Sequence, residues 1–579
     1  MPTRITNREV ARIFATVADL LQLKGENIHR VLAYRRAAET VADLPRDLYA
    51  VRDEGALTDL PYIGATLAEK IEELLETGEL DFFNRLAEEV PIGLVEVMDV
   101  PGMGPKRAAQ FWQELGITSI DALREAAEAG QLRELPGMGE KSEANILQGI
   151  ELLSRRTDRL LLGDALPLAT GLLDRLLEAT GETQGEVAGS LRRRRPTIGD
   201  IDLLIASENP EPIMDAFAGM PEVASIHGKG STKTSVELHS GQQVDLRVLP
   251  PDRWGTLLVY FTGSADHNVH LRELALKQGL SLNEHAFTPV EGGGPEILCA
   301  TEEAVYAQLN MPWIPPELRE DTGEIEAALA GTLPDLITLD DMRGDLQCHT
   351  TWSDGKTTVL EMAQAAQALG YDYLLITDHS HGLGVVQGLT LDDIDGQRAE
   401  IDAANEALAG AFTVLHGVEV EIKADGALDY NDETLAKFDI VQASLHVSLR
   451  QPREQVTARM VNAIRNPYVR IIGHPRGLLL GEREPADLDM DAVFEAAREH
   501  DVALEINANP HRLDLDGPHA RRAVELGVKL TISTDAHRPA EFHNMPYGVA
   551  TARRGWVTAA SVVNTWPLRD VLAWAKGRR

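Results

Sequence analysis

The sequence predicts a multidomain chain with an all-α N-terminal region, an α+β middle and a C-terminal α/β half. Three observations carry that reading. In residues 1–155 apolar side chains recur at helical spacing, as in Val10, Ile13, Phe14, Val17, Leu20 and Leu21, and strand-like alternation is absent. From about residue 160 short apolar runs stand between helical stretches. From Asp345 onward such runs alternate with amphipathic helices, which is the rhythm of a parallel sheet or barrel. At 579 residues the chain exceeds several-fold the ~100–200 residues of one domain.

Composition narrows the classes. Hydrophobic residues make up 44% and charged residues 25%, an ordinary globular balance. Two cysteines, Cys299 and Cys348, exclude a disulfide framework and a thiolate-built zinc site and point to a reducing compartment. The stretch Met1-Pro2-Thr3-Arg4 leads into a polar amphipathic helix, and no apolar run approaches the ~20 residues of a membrane span. The expectation is a soluble, cytoplasmic protein with no membrane partner. The 55 Lys+Arg against 91 Asp+Glu give a formal net charge of −36, which speaks against a nonspecific nucleic-acid binder with a basic face. Two devices reconcile the charge with a polyanionic substrate. Divalent cations among clustered carboxylates reverse the local sign, and backbone N–H groups hold phosphates without Lys or Arg.

The helical region repeats one pattern. Leu60-Pro61-Tyr62-Ile63-Gly64, Val100-Pro101-Gly102-Met103-Gly104 and Leu135-Pro136-Gly137-Met138-Gly139 each precede a helix-forming stretch carrying Lys70, Lys106 with Arg107, or Lys141. Glycine permits a tight turn and close approach of a phosphate, and the following helix offers unpaired N–H groups and its positive dipole end. One copy alone suits an ordinary helix–turn–helix packing unit. Recurrence favours sequence-independent gripping of a nucleic-acid backbone through Gly102, Gly104, Lys106, Gly137, Gly139 and Lys141. The stretches resemble helix-hairpin-helix motifs, and the first copy departs with Tyr62 where a glycine is usual.

In the middle region, Val187-Ala188-Gly189, Ile201-Asp202-Leu203-Leu204-Ile205 and Gln243-Val244-Asp245-Leu246-Arg247-Val248 suggest strands. Strand period puts Asp200 and Asp202 on one face, with Asp245 on the polar face of another strand. Three converging carboxylates repel unless cations sit between them. Two Mg²⁺ ions ~3.5–4 Å apart activate an attacking hydroxyl and neutralise a leaving pyrophosphate. Upstream, Gly189-Ser190-Leu191-Arg192-Arg193-Arg194-Arg195 combines a close-approach glycine, a hydroxyl and a basic cluster suited to a triphosphate. Singly these read as solvated strand positions and a loop; in this order they indicate nucleotidyl transfer.

Residues 1–315 resemble the family X DNA polymerases, the DNA polymerase β group. Tyr260-Phe261-Thr262-Gly263-Ser264, followed by Asn268 and Arg272, strengthens the match. The resemblance implies a nucleotidyltransferase palm and thumb, with Asp200, Asp202 and Asp245 as catalytic ligands of two Mg²⁺ ions. It implies that Gly189, Ser190 and Arg193 hold the triphosphate. Tyr260, Phe261 and Gly263 would contact the sugar, and Asn268 and Arg272 the nascent base pair and template. Ala265 stands where the family has Asp, with Asp266 one place later. Lys70 falls at the position of the family's Schiff-base lysine for 5′-deoxyribose-phosphate lyase chemistry, which needs a lowered pKa. Glu69, Glu72 and Glu73 surround it and Thr66 replaces a second lysine, so the sequence favours a solvated helix lysine there.

In the C-terminal half the apolar runs are Tyr373–Thr377, Thr413–Leu415, Ile440–Ala443, Val469–Ile472, Ala503–Ile506 and Leu530–Ser533. His349, Asp354, His379, Glu419, His446, His474, Asp535 and His537 punctuate their ends, where barrel folds gather ligands on one face. Imidazole plus carboxylate without thiolate suits Zn²⁺, Mn²⁺ or Fe²⁺, and a multi-metal site suits phosphoester hydrolysis. Residues 340–579 resemble the PHP (polymerase and histidinol phosphatase) domain. That resemblance implies a distorted (β/α)7 barrel with two or three Mn²⁺ or Zn²⁺ ions and Mn²⁺-dependent 3′→5′ exonuclease or related phosphoesterase activity. The family motif opens His-x-His, whereas Gln347-Cys348-His349 stands here, so one metal is expected to bind loosely or be missing. Cys348 is expected to face away and pack.

The resulting division is a helix-hairpin-helix, lyase-like domain over 1–90, a helix-hairpin-helix fingers-like domain over 91–157, a palm over 158–250, and a dNTP- and template-contacting subdomain over 251–315. A Pro- and acid-rich linker over 316–339 then leads to the PHP domain over 340–579. The expected enzyme is a monomeric, nucleoid-associated bacterial DNA polymerase that fills short gaps in base excision repair and trims 3′ ends, with gapped or nicked double-stranded DNA and dNTPs as substrates. Two other classes are a small-molecule phosphoesterase on a degenerate polymerase scaffold and a noncatalytic DNA-end-binding factor. The intact Asp trio and dNTP-contact residues speak against degeneracy, and a labelled gapped duplex assayed with and without dNTPs separates all three.

Overall fold

The computed structural model describes residues 5, 7–42, 44, 47–100, 103–155, 159–291, 294–383 and 388–577. The chain divides into two compact units, Met1–Thr157 and Asp158–Arg579. Among the described residues, no helix is long and apolar enough to cross a membrane.

The first unit is helical, as its periodicity predicts. Asn7–Lys24 buries Val10, Phe14, Val17, Ala18 and Leu21, an i, i+3/i+4 stripe, against Val31, Tyr34 and Val41 of Ile28–Ala42. One apolar cluster continues from Val10 to Ile150. The three hairpins share one turn. Ile63 N–H donates to Leu60 O (3.2 Å), Met103 to Val100 (2.8 Å) and Met138 to Leu135 (3.0 Å). Tyr62 adopts φ 61°, the left-handed conformation that Gly137 takes at 79°, so the departing first copy keeps the turn despite its side chain.

The second unit opens with the helix Leu162–Thr180 and a five-stranded sheet. Across the sheet the strands run Gly185–Val187, Ile201–Ala206, Gln243–Leu249, Lys233–Leu238 and Val223–Lys229. Ile201–Ala206 and Gln243–Leu249 are parallel neighbours at its centre. Ile201, Leu203 and Ile205 bury one face against Leu172, Leu173 and Leu176 of the long helix, which turns Asp202 to the opposite face. The helices Trp254–Thr262, Ala265–Lys277 and Glu302–Gln308 follow.

The stretch 316–339, expected as a linker from its Pro and acidic content, is folded and packed. A 3₁₀ turn spans Pro316–Leu318 and a helix Glu324–Ala330. Leu318, Ile325, Ala328 and Leu336 join the cluster of Val259, Leu271, Phe287 and Tyr306. The composition misleads because charged groups here are buried in pairs. Arg319 Nη1 meets Glu302 Oε1 at 2.6 Å, and Glu324 Oε1 meets His267 Nδ1 at 2.6 Å. Such groups enter a core only with partners.

Seven parallel strands then follow in chain order: Gly344–Cys348, Tyr373–Ile376, Thr413–Glu421, Ile440–Ser444, Val469–Ile472, Ala503–Asn507 and Leu530–Ser533. A parallel bridge between Cys348 and Ala536 brings the last strand round to the first, so the expected seven-stranded barrel is nearly closed. Residues such as Leu374, Val418, Val441, Leu504 and Ile532 pack in the large cluster shared with the surrounding helices. Alternate residues are polar yet buried: Asp345, Gln347, Glu419, Gln442, Glu505 and Thr531. The inner face is apolar at one end, where Tyr373, Leu375, Ile440, Ile471 and Ala503 cluster, and polar toward the rim that carries the ligands.

Candidate functional site

Each hairpin ends in a glycine that starts a helix. Gly64 and Gly104 cap Ala65–Thr77 and Pro105–Leu115 without any side-chain hydrogen bond to the first turn. A Cβ at Gly64, Gly104 or Gly139 would meet nothing within 4 Å. The space beside each glycine is therefore open at a helix start, the place where first-turn N–H groups receive a phosphate. Of the expected DNA contacts, Gly102 and the side chain of Lys141 lie outside the described residues. Lys70 differs from the solvated lysine its acidic neighbours suggest. It is half-buried with Nζ 4.5 Å from the Phe82 ring centroid, and burial lowers its pKa, with Arg30 and Arg85 adding to the effect against Glu73.

In the palm, Asp202 and Asp245 are direct cross-strand neighbours. Asp200 lies one residue before the strand and is exposed, so the trio is a strand pair plus a loop carboxylate rather than three strand positions. Burial and the nearby Asp200 and Asp245 push the Asp202 carboxyl up to about 7. Burial also opposes ionisation of Asp245, yet Lys233, Ser235 and Gln243 hold it below the usual range. Lys233 Nζ sits 2.6 Å from Asp245 Oδ2. Gly189 takes φ 60°, and any Cβ there would overlap Asp202 Oδ2.

The arginine run does not act as one cluster. Arg192 pairs with Glu302 at 2.7 Å and bonds Thr262 Oγ1 at 2.8 Å, so it joins the palm to the following helices. Arg193 donates to Thr262 O at 2.9 Å, which sets its guanidinium beside Gly263. A Cβ at Gly263 would lie 2.6 Å from Asn268 Oδ1, and Asn268 Nδ2 donates to Tyr260 O at 2.7 Å. Phe261 packs edge-on to Tyr260 at 5.2 Å and under Arg247 at 4.2 Å. Gly189, Arg193, Asp202, Tyr260, Phe261, Gly263 and Asn268 are thus linked through contacts on this side of the sheet. Ser190 lies in the same short helix as Gly189, and Arg272 lies one turn beyond Asn268.

At the barrel rim the eight expected ligands converge. Glu419 is the hub, with His379 Nδ1 at 3.1 Å, His446 Nε2 at 3.5 Å, His474 Nε2 at 2.9 Å and His349 Nε2 at 3.6 Å. Asp535 Oδ1 meets His349 Nε2 at 3.1 Å, and Asp354 Oδ1 meets His537 Nε2 at 3.3 Å. Two subsets bring their ligand atoms within 4.8 Å of one another: His349, Asp354, His379 with His537, and His379, Glu419 with His446. Nδ1 of His349 and of His474 and Oε1 of Gln347 are buried without a hydrogen-bond partner. Orphaned donor atoms of this chemistry fit divalent cations. Burial works against charging His379 and His537, yet Glu419, Asp354 and Asp535 raise both to about 9. His474 and Asp535 both have left-handed backbones, φ 26° and 57°, the local strain found where a rim must aim a ligand.

Further residues complete this rim. Glu421 Oε2 holds His446 Nδ1 at 2.7 Å, and the period-2 spacing from Glu419 was a usable signal. Asn507 Nδ2 donates to Asp535 Oδ2 at 3.1 Å and Gln347 Nε2 to Oδ1 at 3.3 Å. Gln347 therefore steadies a neighbouring ligand. Cys348 is buried and donates to Leu375 O at 3.4 Å, packed as expected.

The fold and these two centres define a polymerase-type palm joined to a metal-binding hydrolase barrel. Models of the DNA polymerase beta thumb and the PHP domain match residues 257–320 and 345–509. A helix-hairpin-helix domain matches residues 5–80 and a SAM-like helix-hairpin-helix tandem residues 94–151. The DNA polymerase/3′-5′ exonuclease PolX of Bacillus subtilis is 38% identical over 571 residues, 98% of this chain and 99% of that protein. DNA polymerase lambda of Rattus norvegicus is 24% identical over 54% of this chain and 56% of its own length. A probable phosphatase of Thermoanaerobacter sp. is 30% identical over 38% of this chain and 90% of its own. The chain belongs to the bacterial PolX family, the family X DNA polymerases with helix-hairpin-helix and PHP domains.

Proposed function

We propose that this protein lengthens DNA at the palm and shortens 3′ ends at the barrel rim, working on gapped or nicked duplexes in repair. The cross-strand pairing of Asp202 with Asp245, beside a glycine that leaves room for nothing larger, carries the polymerase reading. Asp200, Asp202 and Asp245 are the residues to hold two Mg²⁺ ions, which supply positive charge to the attacking 3′-hydroxyl and the leaving pyrophosphate. Gly189, Ser190 and Arg193 bind the triphosphate. Tyr260, Phe261 and Gly263 flank the sugar, and Asn268 and Arg272 reach the nascent base pair. The eight rim ligands hold two or three Mn²⁺ or Zn²⁺ ions for phosphodiester hydrolysis, with Glu421, Asn507 and Gln347 orienting them. The hairpin glycines with Lys106 and Lys141 hold the DNA backbone, and Lys70 is the amine of a deoxyribose-phosphate lyase step. The protein acts as a cytoplasmic monomer at the nucleoid.

The test is a labelled gapped duplex with Mg²⁺ or Mn²⁺, with and without dNTPs. Asp202→Ala with Asp245→Ala is expected to end primer extension and spare 3′ degradation. His379→Ala, or Asp535→Ala with His537→Ala, is expected to do the reverse. Extension at the unmodified rate by the first variant removes the polymerase assignment. Turnover of free phosphomonoesters without action on DNA would favour a small-molecule phosphoesterase instead.

A further inference from the structure

Arg193 is not free to meet a triphosphate. Its Nε lies 3.0 Å from Glu320 Oε1. The same oxygen accepts from Arg554 Nη1 at 2.9 Å and faces Arg195 Nη1 at 3.7 Å. Arg554 Nη1 also donates to the carbonyl of Arg193 at 2.8 Å. Arg554 ends the helix Met545–Arg554, a barrel element, and its neighbour Arg553 pairs with Glu317 Oε1 at 2.6 Å. Two consecutive barrel arginines thus grip Glu317 and Glu320, at the acidic end of the stretch that matches the thumb, and one of them shares its partner with Arg193.

The electrostatics of that sharing have a direction. Glu320 is largely buried, with 15% of its side chain exposed, and a buried carboxylate stripped of its partner is costly. When Arg193 turns to a triphosphate, Arg554 stays on Glu320 and keeps the carboxylate neutralised. Arg554 also competes for the Glu320 oxygen that accepts from Arg193 Nε, which weakens that part of the grip. Both effects lower the cost of releasing Arg193. We propose that Arg554, supplied by the barrel, is a positioning residue of the polymerase that sets dNTP affinity by holding Glu320 when Arg193 leaves it. This rests on the reading that Arg193 binds the triphosphate.

The experiment is steady-state dNTP incorporation by the full-length protein. Arg554→Met is expected to raise the KM for dNTP about tenfold, the worth of one charge-assisted hydrogen bond, with kcat changed less than about twofold. Degradation of 3′ ends by the same variant stays at the unmodified rate, which also reports that the barrel is folded. Arg554→Lys, which keeps the charge, recovers most of the affinity. Glu320→Gln in the Arg554→Met background restores KM, because a neutral amide no longer retains Arg193. A KM unchanged in Arg554→Met, or a double variant worse than either single one, overturns the coupling. If Arg193→Ala leaves KM unchanged while extension persists, Arg193 does not bind the triphosphate and the coupling falls with that reading. Absence of extension by the unmodified protein would instead remove the polymerase assignment itself.

Discussion

Gly189 lies against Asp202 so closely that the two positions are chemically interdependent: a side chain at 189 would occupy the space of Asp202 Oδ2. The left-handed backbone at Gly189 adds to the constraint. Gly189→Ala is therefore expected to lower the rate of dNTP incorporation by about 100-fold, through displacement of a carboxylate by roughly 1 Å. The 3′ degradation rate is unchanged, and a primer-extension time course beside a degradation assay checks both.

Asp202 titrates near neutrality because burial and two neighbouring carboxylates oppose its charge. Its folded pKa lies above its unfolded one, so the folded state binds the extra proton and stability falls as pH rises from about 4 to 7. Asp202→Asn removes that penalty. In EDTA at pH 8 the variant should be more stable than the parent by roughly 4 kcal/mol, with the gap closing toward pH 4. Urea melts at the two pH values measure it, and an equal gap at both would contradict the assignment of the penalty to Asp202.

His379 and His537 carry protons up to about pH 9 while their carboxylate neighbours lack an ion. Ligation requires neutral imidazole, so Mn²⁺ binding must expel protons. Calorimetric titration at pH 7.5 in buffers of different ionisation enthalpy should report one to two protons released. Apparent affinity should fall about tenfold per pH unit for each proton displaced as the pH is lowered.

Glu421 touches His446 and no other expected ligand, which separates orientation from ligation. Glu421→Gln should weaken Mn²⁺ binding about 10–100-fold. At saturating Mn²⁺ the 3′ degradation rate returns to within about threefold of the parent. A rate that stays low at every metal concentration would mean that Glu421 acts on the substrate.

Lys70 sits against Phe82 with its ammonium partly desolvated, and a depressed amine pKa is what Schiff-base chemistry uses. Borohydride should trap a covalent adduct with a 5′-deoxyribose-phosphate end, and Lys70→Ala should abolish it. Adduct yield rises with pH from 6 to 8 as the free amine fraction grows. Trapping that persists in the variant would move the chemistry to another amine.

Much of this was legible in the residues alone. The barrel strands announced themselves as Val/Ile/Leu runs because parallel strands are covered on both faces. Six of the eight rim ligands were legible because they follow such runs, whereas His349 and Asp354 follow the strand Gly-Asp-Leu-Gln-Cys. Val223–Lys229 and Lys233–Leu238 escaped notice, since the first is a mostly exposed edge strand reading Val-Ala-Ser-Ile-His-Gly-Lys with no clean alternation. The stretch 316–339 was misread because composition cannot reveal that Arg319 and Glu324 find partners far away in sequence. The same limit hid the role of the arginine run: four adjacent arginines look equivalent until Arg192 is seen against Glu302 and Arg193 against Thr262.

Closure of the barrel also orders events during biosynthesis. Because Ala536 docks beside Cys348, the hydrolytic rim needs His349 from one extremity of this half and Asp535 with His537 from the other. Asp245, the last of the palm carboxylates, precedes Asp535 by 290 residues. A polypeptide cut before Asp535 loses one wall of the hydrolytic rim, and it also loses Arg554, which grips Glu320 beside Arg193.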